Sequence, residues 1–267
     1  MNPAILSGRP LLPWGTPGAI NIVVDGNSIM AGGQDNAVVG GPVGLLKQGT
    51  APFSSQLFRT VAIGGQTTTD MTNNASDVDG AWTAGKINIL VVQEGTNTNG
   101  RQADGVTNNL TLGTGISGAA NCDRFMSYLA ARRSARQWDA IVVATPPPGT
   151  YVNYFESVSP GNGAALAADW GQRLSDYCAA LRSRYREQAD ALVDGRAPGG
   201  PWAPARFPDT AQATFDSTAT INSLRNTDLL IREGNGDRVH PTLAGQVAWA
   251  PYFAAALLRL RKRRAGS

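Results

Sequence analysis

Short apolar runs alternate along this chain with longer segments in which apolar residues recur every three or four positions. Five runs rich in valine, isoleucine, leucine and alanine have the composition of buried strands: 20–24, 57–63, 87–93, 140–144 and 191–193. Continuous apolar character of this kind is typical of parallel strands, because helices cover such strands on both faces. The pattern therefore predicts a parallel sheet of about five strands.

Helical periodicity fills the intervals between the predicted strands. It is clearest over 166–185, where large apolar side chains fall on one face of a helix. The other predicted helices are a short one directly after Ser28, one capped by Thr67, Thr68 or Thr69, one over 123–137, and one over 242–263 that is interrupted at Pro251. The remaining long segments, 31–50 and 98–121, read as loops. The alternation of strands and helices predicts an α/β protein, a three-layer α/β/α sandwich with right-handed crossovers.

The chain shows no internal repeat and no sharp break in composition. Its first 18 residues lack periodicity and are predicted to form an irregular arm, with Trp14 packed on the body. Residues 19–267 are predicted to form a single domain, a length that one α/β domain can reach. The proline-rich stretch 197–208 is the only candidate boundary.

The formal charge of +3 is concentrated at the end of the chain. Five basic residues and no acidic one lie in the last nine positions, which leaves 18 basic against 20 acidic residues elsewhere. The body therefore lacks the basic surface of a nucleic-acid-binding protein. No apolar run reaches the length of a membrane span, and the N-terminus lacks the pattern of a signal peptide. Both a cytoplasmic location and a place in a larger assembly, such as a virion, remain open.

The two cysteines, Cys122 and Cys178, do not have the spacing of metal ligands. Cys178 falls on the apolar side of a predicted helix and reads as a small core residue, and a disulfide remains open. The sequence offers no metal or cofactor site.

The candidate nucleophile is Ser28, which follows the first predicted strand. Ligands of open α/β sheets bind beyond the carboxyl ends of the strands, so Ser28 is expected at the ligand-binding edge. Gly26 lets the chain turn sharply and present the serine hydroxyl. An ordinary strand-to-loop turn with a solvated serine is the alternative.

The candidate base is His240, the only histidine in the chain. If a serine is the nucleophile and a histidine the base, no other residue can take this role. Asp237 lies three positions upstream, and its carboxylate can orient the imidazole and stabilise the imidazolium ion. A histidine that merely caps the last helix is the alternative.

The candidate oxyanion donors follow the second and third predicted strands. Gly65 offers a backbone N–H, with Gly64 as an alternative, and Asn97 offers a side-chain amide. Together with the backbone N–H of Ser28 they can form an oxyanion hole. Each signal is weak when taken alone.

Taken in order, these blocks resemble the SGNH hydrolases, also called GDSL esterases and lipases. The matching residues are Gly26-Asn27-Ser28-Ile29, then Gly65, then Gly95-Thr96-Asn97, and finally Asp237-x-x-His240. The resemblance spans nearly the whole chain and implies a flavodoxin-like sheet. It also implies a triad of Ser28, His240 and Asp237, with an oxyanion hole built from Ser28, Gly65 and Asn97.

Two positions depart from the family pattern. The family has an aspartate before the serine, where this chain has Asn27. It has a second aspartate after the asparagine that corresponds to Asn97, and this chain has Thr98 at that position. In addition, the loop 98–121 is longer than in a minimal member and is expected to shape the substrate cleft.

The resemblance implies a metal-independent serine esterase without a cofactor. Polar predicted loops favour a small-molecule or carbohydrate ester, with short acyl and especially O-acetyl groups, over a lipid. A lipase or thioesterase of the same family, acyl transfer instead of hydrolysis, and a catalytically silent binding or structural module on this fold are the alternatives. The sequence leaves the oligomeric state open.

Overall fold

The computed structural model describes residues 11–32, 38–49, 51–102, 104–105, 107–109, 111–148, 152–203 and 240–260. Its five strands form one parallel sheet in the order β2-β1-β3-β4-β5. The strands are β1 (Ile20–Gly26), β2 (Leu57–Thr60), β3 (Ile87–Gln93), β4 (Ala140–Ala144) and β5 (Ala191–Val193). The order reverses between β1 and β3, which makes their carboxyl ends the switch point where such sheets bind ligands. The predicted α/β/α architecture and flavodoxin-like sheet are confirmed.

The helices cover both faces of this sheet. They are α1 (Ser28–Ala31), α2 (Gly41–Gln48), α3 (Thr68–Asn73), α4 (Ala75–Ala81), α5 (Gly118–Ala135), α6 (Val152–Val158), α7 (Gly163–Arg184) and α8 (Leu243–Leu258). Side chains alternate along the strands. Ile22 and Val24 therefore pack in one layer with Trp249 of α8, whereas Val23 packs in the other layer with Phe125 of α5.

Strand β2 is three residues shorter than the predicted segment 57–63. It is an edge strand whose side chains alternate between exposed and half-buried positions. The residues beyond it still follow β1, because the N–H of Val61 donates to the carbonyl of Val24 (2.8 Å) and that of Ile63 to the carbonyl of Gly26 (3.1 Å). The chain is thus held against β1 up to the turn that contains Gly64 and Gly65.

Helix α8 runs through Pro251, contrary to the predicted interruption. The missing N–H of a proline leaves the carbonyl four residues earlier without its helical partner. Here both Pro251 and Val247 are exposed, so water can satisfy that carbonyl. On the opposite face Trp249, Phe253 and Leu257 are fully buried and hold the helix on the sheet. The helix ends at Leu258, with Arg259 as its C-cap, so the predicted segment 242–263 was too long at its C-terminal end.

The remaining local predictions concern the arm and the cysteines. Trp14 is buried and packs edge-on against Phe53, with ring centroids 5.0 Å apart, and residues 1–10 lie outside the described part. Cys122 and Cys178 are both buried, and neither is in a disulfide. Among the described residues, no helix has the length and apolar content needed to cross a bilayer. The division into an arm and one domain stays a prediction.

Candidate active site

Ser28 is the first residue of α1, directly beyond the carboxyl end of β1. The preceding Asn27 has an extended backbone and caps the helix, since its side-chain oxygen accepts from the N–H of Ile29 (3.0 Å). Gly26 allows the turn: its φ is +144°, and a Cβ atom there would lie 2.2 Å from the carbonyl oxygen of Gln93 on β3. The turn that carries Ser28 therefore lies close against β3.

His240 contacts Ser28 directly. Its Nε2 lies 2.6 Å from Ser28 Oγ, although the two residues are 212 positions apart in sequence. His240 is half-buried and stands just before Pro241 and the N-cap Thr242, whose hydroxyl accepts from the N–H of Gly245 (3.1 Å). His240 therefore lies two residues before the N-cap of α8. Asp237 lies outside the described residues, so its place in the triad stays a prediction.

The two proposed oxyanion loops reach the same edge. A Cβ atom built on Gly64 would lie 3.8 Å from that of Ser28, so the turn after β2 passes beside the nucleophile. The side-chain amide of Asn97 donates to the carbonyl of Gln66 (3.0 Å) and ties the loop after β3 to this turn. Gly65 has a φ of +79° and is exposed. The roles of Gly65 and Asn97 as donors stay predictions.

Glu94 is a buried carboxylate that the sequence analysis did not assign. It follows β3 and is fully buried, and burial raises its pKa above the ordinary value although several hydrogen bonds oppose that effect. Its partners are the N–H groups of Gly95, Asn97 and Thr98, the hydroxyl of Thr98, and the side-chain amide of Asn27. The one available signal was an acidic residue at the end of an apolar strand.

A second buried carboxylate, Asp25, lies at the end of β1. It accepts hydrogen bonds from the hydroxyl of Tyr128, the N–H of Gly26 (2.8 Å) and the side-chain amide of Gln66 (3.2 Å). Burial raises its pKa to about 6, and these bonds only partly oppose the shift. Gln66 thus links Asp25 to Asn97, because its side chain donates to Asp25 and its carbonyl accepts from the amide of Asn97.

We expect Asp25→Asn to stabilise the protein above pH 6. The folded chain holds the Asp25 proton up to a pKa of about 6, whereas the unfolded chain releases it near 3.8, so wild-type stability falls as pH rises between these values. An asparagine can keep all three contacts, with its amide donating to the Tyr128 oxygen. Urea unfolding should therefore show the variant more stable by about 3 kcal/mol at pH 8 and by little at pH 4.

A matched control for this experiment is Asp176→Asn, which makes the same chemical change at an exposed position of α7. The control should leave the pH dependence of stability unchanged. Parallel curves for wild type and Asp25→Asn from pH 4 to pH 8 would contradict the predicted pKa.

No family model matches this chain, and no curated protein matches it. Solved structures share its fold at low identity. A member of the lipolytic protein G-D-S-L family from Veillonella parvula is 12% identical, with 91% of this chain and all of that chain covered at a TM-score of 0.56. The acetylxylan esterase Axe2 from Geobacillus stearothermophilus is 15% identical, with coverage of 93% and 98% and a TM-score of 0.56. LAE5, an α/β hydrolase from the metagenome of Lake Arreo, is 21% identical, with coverage of 93% and 99% and a TM-score of 0.53.

Proposed function

We propose that this chain is a serine ester hydrolase of the SGNH type. The observation that carries the proposal is the 2.6 Å contact between His240 Nε2 and Ser28 Oγ at the switch point of the sheet. A hydroxyl at hydrogen-bond distance from an imidazole is the arrangement that activates a serine nucleophile. The loops that carry the two residues follow β1 and precede α8, which matches the order of the resembling family.

In this mechanism Ser28 Oγ attacks the acyl carbon while His240 Nε2 takes the hydroxyl proton. The tetrahedral intermediate collapses and expels the alcohol, which receives that proton from His240. Water then attacks the acyl-enzyme while His240 takes one of its protons; the second intermediate collapses, the carboxylic acid leaves, and His240 returns that proton to Ser28 Oγ. Asp237 is assigned to hold the imidazole in the correct tautomer.

The oxyanion of each tetrahedral intermediate is assigned to three donors: the N–H groups of Ser28 and Gly65 and the side-chain amide of Asn97. A preorganised donor of this kind contributes about 3–4 kcal/mol to transition-state stabilisation. The contact between Asn97 and Gln66 supports the assignment, because it holds the amide beside the turn that carries Gly65.

The triad assignment is further supported by Axe2. Catalytic mutants of that esterase replace a serine, an aspartate and a histidine with alanine, and its aspartate and histidine are three positions apart. Asp237 and His240 have the same spacing and follow the serine in the same order.

For the substrate we propose short acyl esters, with O-acetyl groups on carbohydrate as the first choice. Axe2 is described as an acetylxylan and acetyl-xylooligosaccharide esterase, and the loop segments near the site are rich in asparagine, threonine and glycine. Acetate release from acetylated xylooligosaccharides should therefore exceed hydrolysis of long-chain aryl esters. The opposite preference would favour a lipase.

A fluorophosphonate probe tests the proposal before any substrate is known. We expect one probe per chain, attached to Ser28 and located by mass spectrometry of the digested protein. Protein that was unfolded before exposure is the control and should stay unlabelled, because activation of Ser28 needs the folded contact with His240. A folded protein that does not react would identify a catalytically silent module.

A further inference from the structure

Glu94 joins three loops of the candidate site through a single carboxylate. Its Oε2 accepts from the N–H of Gly95 and from the hydroxyl of Thr98 (2.7 Å). Its Oε1 accepts from the N–H groups of Asn97 (3.2 Å) and Thr98 (3.3 Å). Oε1 also faces the side-chain amide of Asn27 at 3.5 Å, the residue next to the nucleophile. Both oxygens are thus directed at backbone and side chains that border the reaction centre.

The third loop is reached through Thr98. Because the Thr98 hydroxyl donates to Glu94, it acts as an acceptor on its other side, where it meets the N–H of Thr68 (2.9 Å). Thr68 opens α3, directly after the turn that contains Gly65. The carboxylate therefore fixes the Asn97 loop and, through one hydroxyl, the turn of the other proposed oxyanion donor.

The position of the charge explains the two departures from the resembling family. That family places aspartates where this chain has Asn27 and Thr98, and both of these uncharged residues contact Glu94. An amide and a hydroxyl can donate to a carboxylate, whereas an aspartate at either place would repel it. Here the carboxylate stands directly after β3, and the donors surround it.

We propose that Glu94 is a positioning residue that aligns the Ser28 turn with the Asn97 loop for ester hydrolysis. The inference rests on the proposed function of the same site. Glu94 does not touch the reacting atoms; it sets the distance between the nucleophile and the oxyanion donors. Misplacement of such groups by about 1 Å can cost on the order of 100-fold in rate.

The first test is Glu94→Gln, which keeps the shape of the side chain and removes its charge. The amide can accept at only one of its two ends, so some of the loop N–H groups lose their acceptor. With a short-chain aryl ester we expect kcat to fall about 10- to 100-fold, and KM to stay within about threefold because the loops still form. The matched control is Glu187→Gln at the opposite edge of the sheet, beyond the end of α7, where kcat should not change.

The second test relocates the charge. Asn27→Asp alone places a second carboxylate beside Glu94 and should lower kcat further than Glu94→Gln. In the double variant Asn27→Asp/Glu94→Gln, the amide nitrogen of Gln can donate to the new aspartate while its oxygen accepts from Gly95 and Thr98. We expect at least about tenfold recovery of kcat relative to Asn27→Asp alone, a coupling that a general loss of packing would not produce.

The rate of fluorophosphonate labelling at Ser28 and the unfolding midpoint complete the experiment. Folded variants that label slowly, with the double variant restored, support the inference. An unchanged kcat in Glu94→Gln overturns it, and so does a double variant that recovers neither activity nor labelling. If the wild type itself shows no turnover that depends on Ser28, the proposed function fails first; wild-type turnover with an insensitive Glu94 defeats only the positioning role.

Discussion

Ser28→Ala is expected to lower kcat/KM for a short-chain aryl ester by about 10⁴- to 10⁶-fold. The variant removes the only atom that can form the acyl-enzyme and leaves the oxyanion donors in place, so the residual rate is that of water attacking a bound ester. Helix α1 should persist, since its cap is the Asn27 side chain and not Ser28. Initial rates and the unfolding midpoint would be measured on the same preparation.

The fluorophosphonate provides the control for this variant. Ser28→Ala should not label, whereas a substitution of another serine, such as the exposed Ser127 on α5, should label like the wild type. Equal hydrolysis by wild type and Ser28→Ala would show that the activity belongs to another residue or to a contaminant.

His240→Ala has the second largest expected effect, a loss of about 10⁴-fold in kcat. Without the imidazole nothing takes the Ser28 proton, and the cavity left beside Ser28 Oγ can admit a small base because His240 is only half-buried. Added imidazole should therefore restore part of the rate in the alanine variant, with saturation as its concentration rises. The measurement is initial velocity against imidazole concentration at constant pH.

Two comparisons separate this rescue from simple buffer catalysis. Ser28→Ala should gain nothing from imidazole, and an added tertiary amine too large for the cavity should not rescue His240→Ala. Full activity of His240→Ala without added base would contradict the assignment, because the chain contains no other histidine to replace it.

The central strands β1, β3 and β4 were predictable because they are buried on both faces. Strands β3, β4 and β5 begin and end where the apolar runs do. Strand β1 continues for two residues beyond its apolar run, to Gly26. The edge strand β2 was predicted too long, since its apolar residues continue into a turn that follows β1 without forming a full ladder. The sequence alone cannot distinguish a paired strand from extended chain that only follows a strand.

Three helices, α2, α4 and α6, were not predicted. Helix α2 lies in a glycine-rich stretch whose low helix propensity argued for a loop. Its glycines permit close packing on a neighbouring element: a Cβ atom on Gly41 would lie 2.7 Å from the carbonyl oxygen of Ile29 in α1. Tertiary contacts determine whether such a segment is helical, and hydrophobic periodicity carries no information about them.

The chemistry of the site was predictable in part. The contact between Ser28 and His240 agrees with the expected place of Ser28 at the ligand-binding edge, because loops at the carboxyl edge of one sheet converge whatever their separation in sequence. The contacts of Glu94 were not predictable, because a carboxylate acquires its partners only when the turns after three different strands are in place. Asp237 lies outside the described residues, and its assignment depends on the sequence alone.

The separation of 212 positions between Ser28 and His240 has a practical consequence for studies of refolding. The proposed hydrolysis needs β1 and α8 to be in place together, so a hydrolysis signal would count only molecules in which both elements have docked. Circular dichroism, by contrast, responds as soon as local helices form. Hydrolysis of a chromogenic ester would therefore report the time at which β1 and α8 come together during refolding. Two gene fragments divided between β1 and α8 would give a complementation assay on the same principle.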